Sequence, residues 1–175
     1  MNIREVKYRE IKQLDRIWKN LPERSKQIVD IGFIGNFTYK RYNLFHRIVL
    51  LLSTSSTYRK LSNFLGLEFF LTLVALNNKK IVGFTHTCIN KLDNKRFKKD
   101  RGIFGIVIDK EYWNRGVGSA LLEETIEKCR KLGLKHLILT VFEENRHAIK
   151  LYQNYQFTVT DKRENILEMS KRMII

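Results

Sequence analysis

The sequence predicts a mixed α/β (α+β) fold, because it contains strand patterns that pair in both directions. Two apolar runs rich in β-formers, Ile103–Ile108 and Leu137–Phe142, flank an amphipathic helix at Val117–Leu132. A strand, a helix and a strand in this order predict a right-handed βαβ unit with parallel strands. Earlier in the chain, apolar runs at Phe69–Leu76 and Lys80–Ile89 are separated by a short Asn-Asn-Lys turn, which predicts an antiparallel hairpin.

Shorter elements complete the predicted sheet and its helical layers. We expect a first strand at Asn2–Val6 and a closing hairpin, Phe157–Thr160 and Ile166–Ile174, that turns at Asp161–Glu164. Apolar residues at helical spacing predict five further helices, at Tyr8–Asn20, Glu23–Ile31, Tyr39–Leu52, Tyr58–Leu65 and Asn145–Tyr155. The segment Asn90–Arg101 is predicted to be a charged loop.

Length and composition indicate one globular domain. The chain has 175 residues, of which 43% are hydrophobic and 29% charged, a composition typical of folded rather than disordered proteins. A chain of this size buries roughly 70% of its unfolded surface, which is enough for a core without disulfides or metals. Since no repeat or flexible linker divides the sequence, we expect a single domain over 1–175.

The positive charge is concentrated in the first part of the chain. The net charge is +15; residues 1–100 contain 20 Lys and Arg against 8 Asp and Glu, whereas residues 101–175 contain 13 against 10. Basic surfaces attract acidic substrates, nucleic acid or anionic membranes, although a general excess of lysine also serves solubility. The sequence therefore predicts a basic N-terminal half with three classes of partner open.

Cysteine usage and the N-terminal segment predict a cytoplasmic protein. The two cysteines, Cys88 and Cys129, form no C-x-x-C pair, which indicates a reducing compartment and two small core side chains. Charges throughout Met1–Asn20 argue against a signal peptide. The longest apolar run in the first third, Ile48–Leu52, is far shorter than the roughly 20 residues of a membrane span.

The segment Arg115–Ala120 has the features of a phosphate site. A helix is expected to begin near Gly116, and the first N–H groups of a helix lack intrahelical partners and lie at its positive end. Gly116 and Gly118 carry no Cβ, so the backbone can approach a ligand closely. Arg115 adds a cation that can reach phosphate oxygens. An anion, above all a phosphate, is the ligand that this helix start predicts.

Other common site motifs do not fit. A dinucleotide fingerprint needs G-x-G-x-x-G directly after a strand, whereas Leu121 takes the third glycine position here and Asp109–Arg115 separates the strand from Gly116. A P-loop needs G-K-[ST], which the sequence lacks. The four histidines have no metal-ligand spacing, so no metal site is expected. No Ser-His-Asp or Cys-His pattern stands out.

The same segment resembles the acetyl-CoA motif of the GCN5-related N-acetyltransferases (GNAT family), Q/R-x-x-G-x-G/A, which Arg115–Ala120 matches. The match runs without a gap from Ile106 to Phe157 and is most similar to the ribosomal-protein alanine acetyltransferase branch. It includes the family's N-x-x-A-x-x-L-Y segment and closing aromatic, here Asn145, Ala148, Leu151, Tyr152 and Phe157. The resemblance implies a GNAT-type mixed, mainly antiparallel central sheet of about seven strands, with a parallel central βαβ pair and helices on both faces.

The resemblance also implies a role for each matched residue. Backbone groups of Ile106, Val107 and Ile108 would meet the pantetheine arm and the acetyl carbonyl of acetyl-CoA, the implied cosubstrate. The pyrophosphate would lie on the segment made of Asn114, Arg115, Gly116, Val117, Gly118 and Ser119, with Ala120 beside it. Asn145 would bind pantetheine through its side chain. In this scheme 1–101 holds the substrate-side helices and 102–175 binds acetyl-CoA.

Tyr152 would be the general acid that protonates the departing CoA thiolate. A phenol suits this task because it is neutral at pH 7 and can donate a proton. Taken alone, Tyr152 would be interpreted as a core aromatic on an apolar stripe, and Asn145 as a helix N-cap. The combined pattern at the family's spacing favours the functional interpretation of both.

The general base is the part of the family pattern that this sequence lacks. Some relatives place a glutamate on the strand before the Asn145 loop, at the position of Thr140 here. Glu143, Glu144 and His86 are weak candidates for the base. The two glutamates would otherwise be surface charges, and His86 a satisfied strand residue. A chain of water molecules to solvent is a fourth route.

The implied acceptor is a primary amine. A protein N-terminus or a lysine is favoured over a small amine, and the positive charge predicts an acceptor that is acidic or has acidic groups near its amine. The alternative is a non-catalytic CoA-binding or RNA- or ribosome-associated module that uses its basic N-terminal half, so nucleic acid is the less favoured partner. Monomer and homodimer both stay open.

Overall fold

The computed structural model describes residues 1–10, 69–90 and 100–174, together with residues 13, 14, 16, 17, 52–55, 57, 58, 61 and 62. These residues form one sheet and two complete α-helices. The strands are β1 (Asn2–Glu5), β2 (Phe69–Asn77), β3 (Lys80–Asn90), β4 (Arg101–Ile108), β5 (His136–Phe142), β6 (Thr158–Arg163) and β7 (Ile166–Arg172). The helices are α1 (Val117–Lys131) and α2 (Arg146–Asn154).

The strand order confirms the predicted mixed sheet. The seven strands lie in the order β1-β2-β3-β4-β5-β7-β6. β4 and β5 are parallel, as a βαβ unit requires, and the other five neighbouring pairs are antiparallel. The hairpin between β2 and β3 turns at Asn78 and Lys79, whose φ angles of 46° and 67° suit a tight two-residue hairpin turn.

The closing hairpin turns later than the sequence predicts. β6 continues through Asp161, Lys162 and Arg163, and the turn is formed by Glu164, with φ of 51°, and Asn165. Every residue of β6 is exposed, and β6 lies at an edge of the described sheet. Charged side chains are common on edge strands because they oppose aggregation. The predicted turn at Asp161–Glu164 was wrong, because an exposed edge strand has the same polar composition as a turn.

Most of the predicted N-terminal helices lie outside the described residues. This applies, apart from isolated positions, to Glu23–Ile31, Tyr39–Leu52 and Tyr58–Leu65, and it applies to nearly all of the Asn90–Arg101 loop. Of the first predicted helix, Tyr8–Glu10 forms a 3₁₀ turn, and residues 13, 14, 16 and 17 are helical. None of the helices within the described residues has the length and apolar character needed to cross a membrane.

The sheet has a buried core on each face. Leu139, Leu167 and Met169 belong to a cluster that also contains apolar residues of α1 and α2, so we call this side the α1 face. On the opposite face, Leu14 and Ile17 belong to a second cluster with residues of β2, β3 and β4. The described part of the chain thus confirms that helical residues cover both faces of the sheet.

An ion pair ties the start of the first helical segment to the sheet edge. Arg4 on β1 donates from Nη1 and Nη2 to the two Glu10 carboxylate oxygens, over 2.8 and 2.6 Å. The backbone N–H of Lys7 also donates to Glu10, over 2.8 Å. The hydrogen bond from Arg4 is the main cause that lowers the pKa of Glu10 to about 2. Glu10 is buried, so the paired form contributes to stability.

Candidate active site

The parallel strand pair separates after three residue pairs. Arg101–Ile103 pair with His136–Ile138, but β4 extends to Ile108 and β5 to Phe142. Both strands are described in full, and a cavity of about 570 Å³ lies between their separated ends. Backbone groups of β4 beyond Ile103 therefore face the cavity instead of β5. The cavity is lined by Gly105, Ile106, Val107, Ile108, Tyr112, Trp113, Asn114, Gly116, Gly118, Ser119, Thr140, Val141, Phe142, Asn145, His147, Ala148, Leu151 and Tyr152.

The N terminus of α1 opens into this cavity. Gly116 is the N-cap with φ of 75°, and Asn114 also has a left-handed φ of 57°. A Cβ on Gly116 would meet no atom within 4 Å, so glycine serves the backbone angle there rather than a close contact. The first turn of α1 contains no acidic residue. The structure thus provides a helix N terminus suited to an anion.

Two cations lie on the ring of Tyr112 beside this helix start. The Arg115 guanidinium is 5.6 Å and the Lys80 Nζ 5.7 Å from the ring centroid, distances typical of cation–π contacts. Lys80 also contacts the carboxylates of Asp109 and Glu111, at 4.0 and 3.5 Å. Arg115 is therefore held close to the anion site, although it is not among the residues that line the cavity.

Trp113 lines the cavity and was missed at the level of sequence. Its indole is 47% exposed, and its Nε1–H donates to the Ile108 carbonyl over 3.0 Å. An alternative alignment of the Q/R-x-x-G-x-G/A motif could have identified Trp113 from the sequence. If Gly116 and Gly118 are the motif glycines, as the cap geometry favours, the Q/R position falls on Trp113.

Tyr152 is buried on α2 and lines the same cavity. It is 7% exposed, and its ring contacts those of Phe104 and Phe157, with centroid distances of 6.2 and 5.9 Å. Burial raises the pKa of Tyr152 to about 12. The phenol therefore keeps its proton at neutral pH and can act as a donor.

Asn145 combines a structural position with access to the cavity. Its Oδ1 accepts a hydrogen bond from the Ala148 backbone N–H over 3.2 Å, which makes it the N-cap of α2. The side chain also lines the cavity. Since the cap uses Oδ1, the Nδ2 group is the part that can donate to a ligand.

Thr140 also lines the cavity, but Glu143 and Glu144 do not. Glu143 accepts a hydrogen bond from Lys162 over 2.8 Å, and this bond lowers the pKa of Glu143. Glu144 is exposed. The two glutamates that were candidates for the base are thus located in the surface loop after β5, outside the cavity lining.

His86 lies within the sheet rather than at the cavity surface. It is 1% exposed, its Nδ1 lies 2.8 Å from the Thr72 hydroxyl, and its ring stacks on Phe70 with centroids 5.0 Å apart. Burial lowers the pKa of His86 to about 3. A histidine in this environment is neutral at physiological pH and a weak base.

A row of basic side chains crosses the face opposite the α1 face, at the other end of the sheet. Arg101, His136 and Arg172 are register partners on β4, β5 and β7. The pKa of His136 is lowered, first by burial and then by the positive charges of Arg101, Arg172 and Lys135. We call Arg101, His136 and Arg172 the cationic row after its two arginines, because the lowered pKa leaves His136 mostly uncharged at neutral pH. Among the described residues, no group of three or more His, Cys, Asp or Glu could hold a metal ion.

Comparison with known proteins agrees with this geometry. The profile of the "Acetyltransferase (GNAT) family" matches residues 39–157. The chain is 38% identical over 88 residues to L-amino acid N-acetyltransferase AaaT of Escherichia coli K12, which covers 50% of this chain and 52% of that protein. It is 38% identical over 63 residues to the ribosomal protein bS18-alanine N-acetyltransferase of the same strain, covering 36% and 43%. The chain spans about half the length, or less, of these curated relatives.

A solved structure extends the likeness to the whole fold. The PaiA N-acetyltransferase of Thermoplasma acidophilum, in complex with coenzyme A, aligns over 98% of both chains with a TM-score of 0.61 and 17% sequence identity. At this identity the likeness concerns the fold alone. This likeness agrees with the GNAT-type fold that the resemblance over Ile106–Phe157 implies.

Proposed function

We propose that this chain, which belongs to the acetyltransferase (GNAT) family, transfers an acetyl group from acetyl-CoA to a primary amine. The observation that carries the proposal is that one cavity joins the N terminus of α1, the free edge of β4 and the phenol of Tyr152. These are the three groups that an acetyl-CoA-dependent transfer needs for phosphate, for pantetheine and for the leaving sulfur.

The donors around the cavity fit this cosubstrate. The diphosphate is an anion, and the N–H groups at the start of α1, with Arg115 nearby, suit it. The amides of the pantetheine arm need backbone partners, which the β4 edge at Ile106–Ile108 provides. The Asn145 amide adds a side-chain donor.

The residues of the chain divide the chemistry between them. Acetyl-CoA supplies the thioester; the acceptor nitrogen bonds to the acetyl carbon, the carbon–sulfur bond breaks, the nitrogen loses a proton and the sulfur gains one. Backbone N–H groups of the β4 edge polarise the carbonyl, because they are fixed before reaction. Tyr152 donates to the sulfur, since burial keeps its proton in place. Thr140, at the family's base position, cannot accept the proton from nitrogen at neutral pH.

The acceptor is a protein N-terminus or lysine with acidic groups near its amine. Two features support this: the positive charge of residues 1–100, and the cationic row, four residues or about 13 Å along β5 from Thr140. An extended peptide with its amine at Thr140 would present an acidic side chain to that row. The bS18-alanine relative is named for a protein substrate and the AaaT relative for amino acids. A test of the acceptor must therefore include both peptides and free amino acids. Cys88 and Cys129 are buried and form no disulfide, which suits a reducing cytoplasm.

The test is acetyl-CoA consumption against a panel of amines. The panel contains acidic and basic peptides with free N-termini, lysine peptides, free amino acids and polyamines. Transfer to acidic peptides, lost in Tyr152→Phe, is the expected result. If a polyamine is the best substrate, the acidic acceptor is wrong; if no amine is acetylated and RNA binds in a salt-dependent manner, the non-catalytic alternative is correct.

A further inference from the structure

A carboxylate lies beside the cavity at a position that the family pattern does not mark. Glu168 on β7 is the direct register partner of Thr140 on β5. Side chains of directly opposed residues in an antiparallel pair lie on the same face, with Cβ atoms about 4.5–5.5 Å apart. Because Thr140 lines the cavity, Glu168 is one side chain away from it.

The burial of β7 fixes the side of the sheet from which Glu168 projects. Its neighbours Leu167 and Met169 are buried in the cluster on the α1 face. Successive side chains of a strand point to opposite faces, so Glu168 projects from the opposite face, on which the cationic row also lies. Glu168 is half-buried. A carboxylate at such a site remains reachable by a substrate but is partly shielded from solvent.

The neighbours of Glu168 orient it without neutralising it. The Thr160 hydroxyl on β6 donates to Glu168 Oε1 over 3.1 Å. Asp161, the register partner on β6, accepts a hydrogen bond from Arg163 over 2.9 Å. On the β5 side, the residue opposite Glu168 in the strand register is Thr140. The groups that flank Glu168 on these two strands are thus two threonines and an aspartate that is already paired.

We propose that Glu168 binds the acceptor amine and accepts its proton, in place of a base at Thr140; this rests on the function proposed above. As the nitrogen–carbon bond forms, the nitrogen becomes acidic and its proton passes to the Glu168 carboxylate, which releases it to solvent. The sulfur takes its proton from the Tyr152 phenol, which regains one from solvent. Protons and charge therefore balance at the end of each turnover. In relatives with a glutamate at the position of Thr140, the carboxylate lies on β5. Here it would act on the acceptor amine from the neighbouring strand β7.

The experiment compares Glu168→Gln with Glu164→Gln, a matched control in the exposed turn of the same hairpin. Glutamine keeps an oxygen that can accept the hydrogen bond from Thr160, so folding is expected to be retained. For Glu168→Gln we expect kcat/KM for the amine to fall about 10²- to 10³-fold, with loss of the base-dependent limb of its pH profile. The KM for acetyl-CoA stays unchanged, and Glu164→Gln behaves as the wild type.

A second variant separates a catalytic role from a structural one. In the Glu168→Gln background, Thr140→Glu returns a carboxylate to the adjacent strand, and we expect it to restore a large part of kcat/KM. Wild-type kinetics in Glu168→Gln, or a loss that Thr140→Glu does not restore at all, would overturn the assignment while leaving the transferase function intact. If the wild type acetylates no amine, the proposed function fails first and the role of Glu168 with it.

Discussion

The ring of Tyr152 meets that of Phe104 edge to face, with centroids 6.2 Å apart and planes at 88°. This contact joins α2 to β4, and Phe157 closes a triangle of rings with a Phe104–Phe157 distance of 5.7 Å. Such pairs add about 0.5–1.5 kcal/mol beyond area burial. They hold the phenol at the cavity between the separated strands. The proposed proton donor is therefore positioned by the core itself rather than by a loop.

Tyr152→Phe is expected to reduce kcat about 10²-fold or more without unfolding the protein. The variant removes only the hydroxyl and keeps the three ring contacts, so the melting temperature should change little. Tyr155→Phe on the same helix is the matched control, because Tyr155 is not among the cavity-lining residues. Steady-state kinetics and thermal unfolding measure both effects. Wild-type kcat in Tyr152→Phe would contradict the role of the phenol.

Alanine at Gly116 and at Gly118 should change stability in opposite directions. Gly116 has φ of 75°, which costs a residue with a Cβ about 1–2 kcal/mol. Gly118 lies within α1, its added Cβ would be 3.4 Å from Leu151, and alanine favours a helix by up to about 1 kcal/mol.

Both substitutions should nevertheless raise the KM for acetyl-CoA, because both place a methyl group or strain where the phosphates approach the backbone. Denaturant unfolding with acetyl-CoA kinetics separates the two effects. An unchanged KM in Gly118→Ala, in a protein of equal or higher stability, would show that the α1 start does not hold the diphosphate.

Neutralising the two arginines of the cationic row should selectively weaken the binding of acidic acceptors. In Arg101→Gln with Arg172→Gln, we expect the KM for an acidic peptide to rise roughly 5- to 10-fold, as two partly exposed ion pairs would give, while the KM for acetyl-CoA stays constant. Lys131→Gln, an exposed cation at the end of α1, is the control. An equal effect on neutral and acidic peptides would argue against the row as an acceptor site.

Glu10→Gln should lower stability at neutral pH and flatten the acid unfolding profile. The pKa of Glu10 is lowered from 4.5 to about 2 in the folded protein, so its contribution is fully present above pH 4.5 and is lost as the pH falls towards 2. The lowered pKa corresponds to roughly 3 kcal/mol. Urea unfolding at pH 7 and at pH 3 tests this, with the exposed Glu111→Gln as control. A stability loss that is equal at both pH values would contradict the linkage.

The sequence alone was sufficient for the local parts of the site. A helix beginning at Gly116, an N-cap at Asn145 and a tyrosine seven residues further on α2 follow from residue type and periodicity. These features depend on contacts within one or two helical turns, which a motif records. The mixed sheet also followed, because a βαβ unit joins parallel strands and a short turn joins antiparallel ones.

The tertiary structure determined the cavity around which these local elements are arranged. The sequence contains no mark of the point, after Ile103 and Ile138, at which the parallel strands separate. Sequence patterns also predicted the closing turn at Asp161–Glu164, whereas Glu164 and Asn165 form it. Since the turn sets the register of β6 against β7, sequence patterns alone could not place Thr160 against Glu168, and the β5 partner of Glu168 is equally non-local. Which carboxylate lies beside Thr140 depends on the pairing of residues 28 positions apart, and that pairing is set by the packing of the whole sheet.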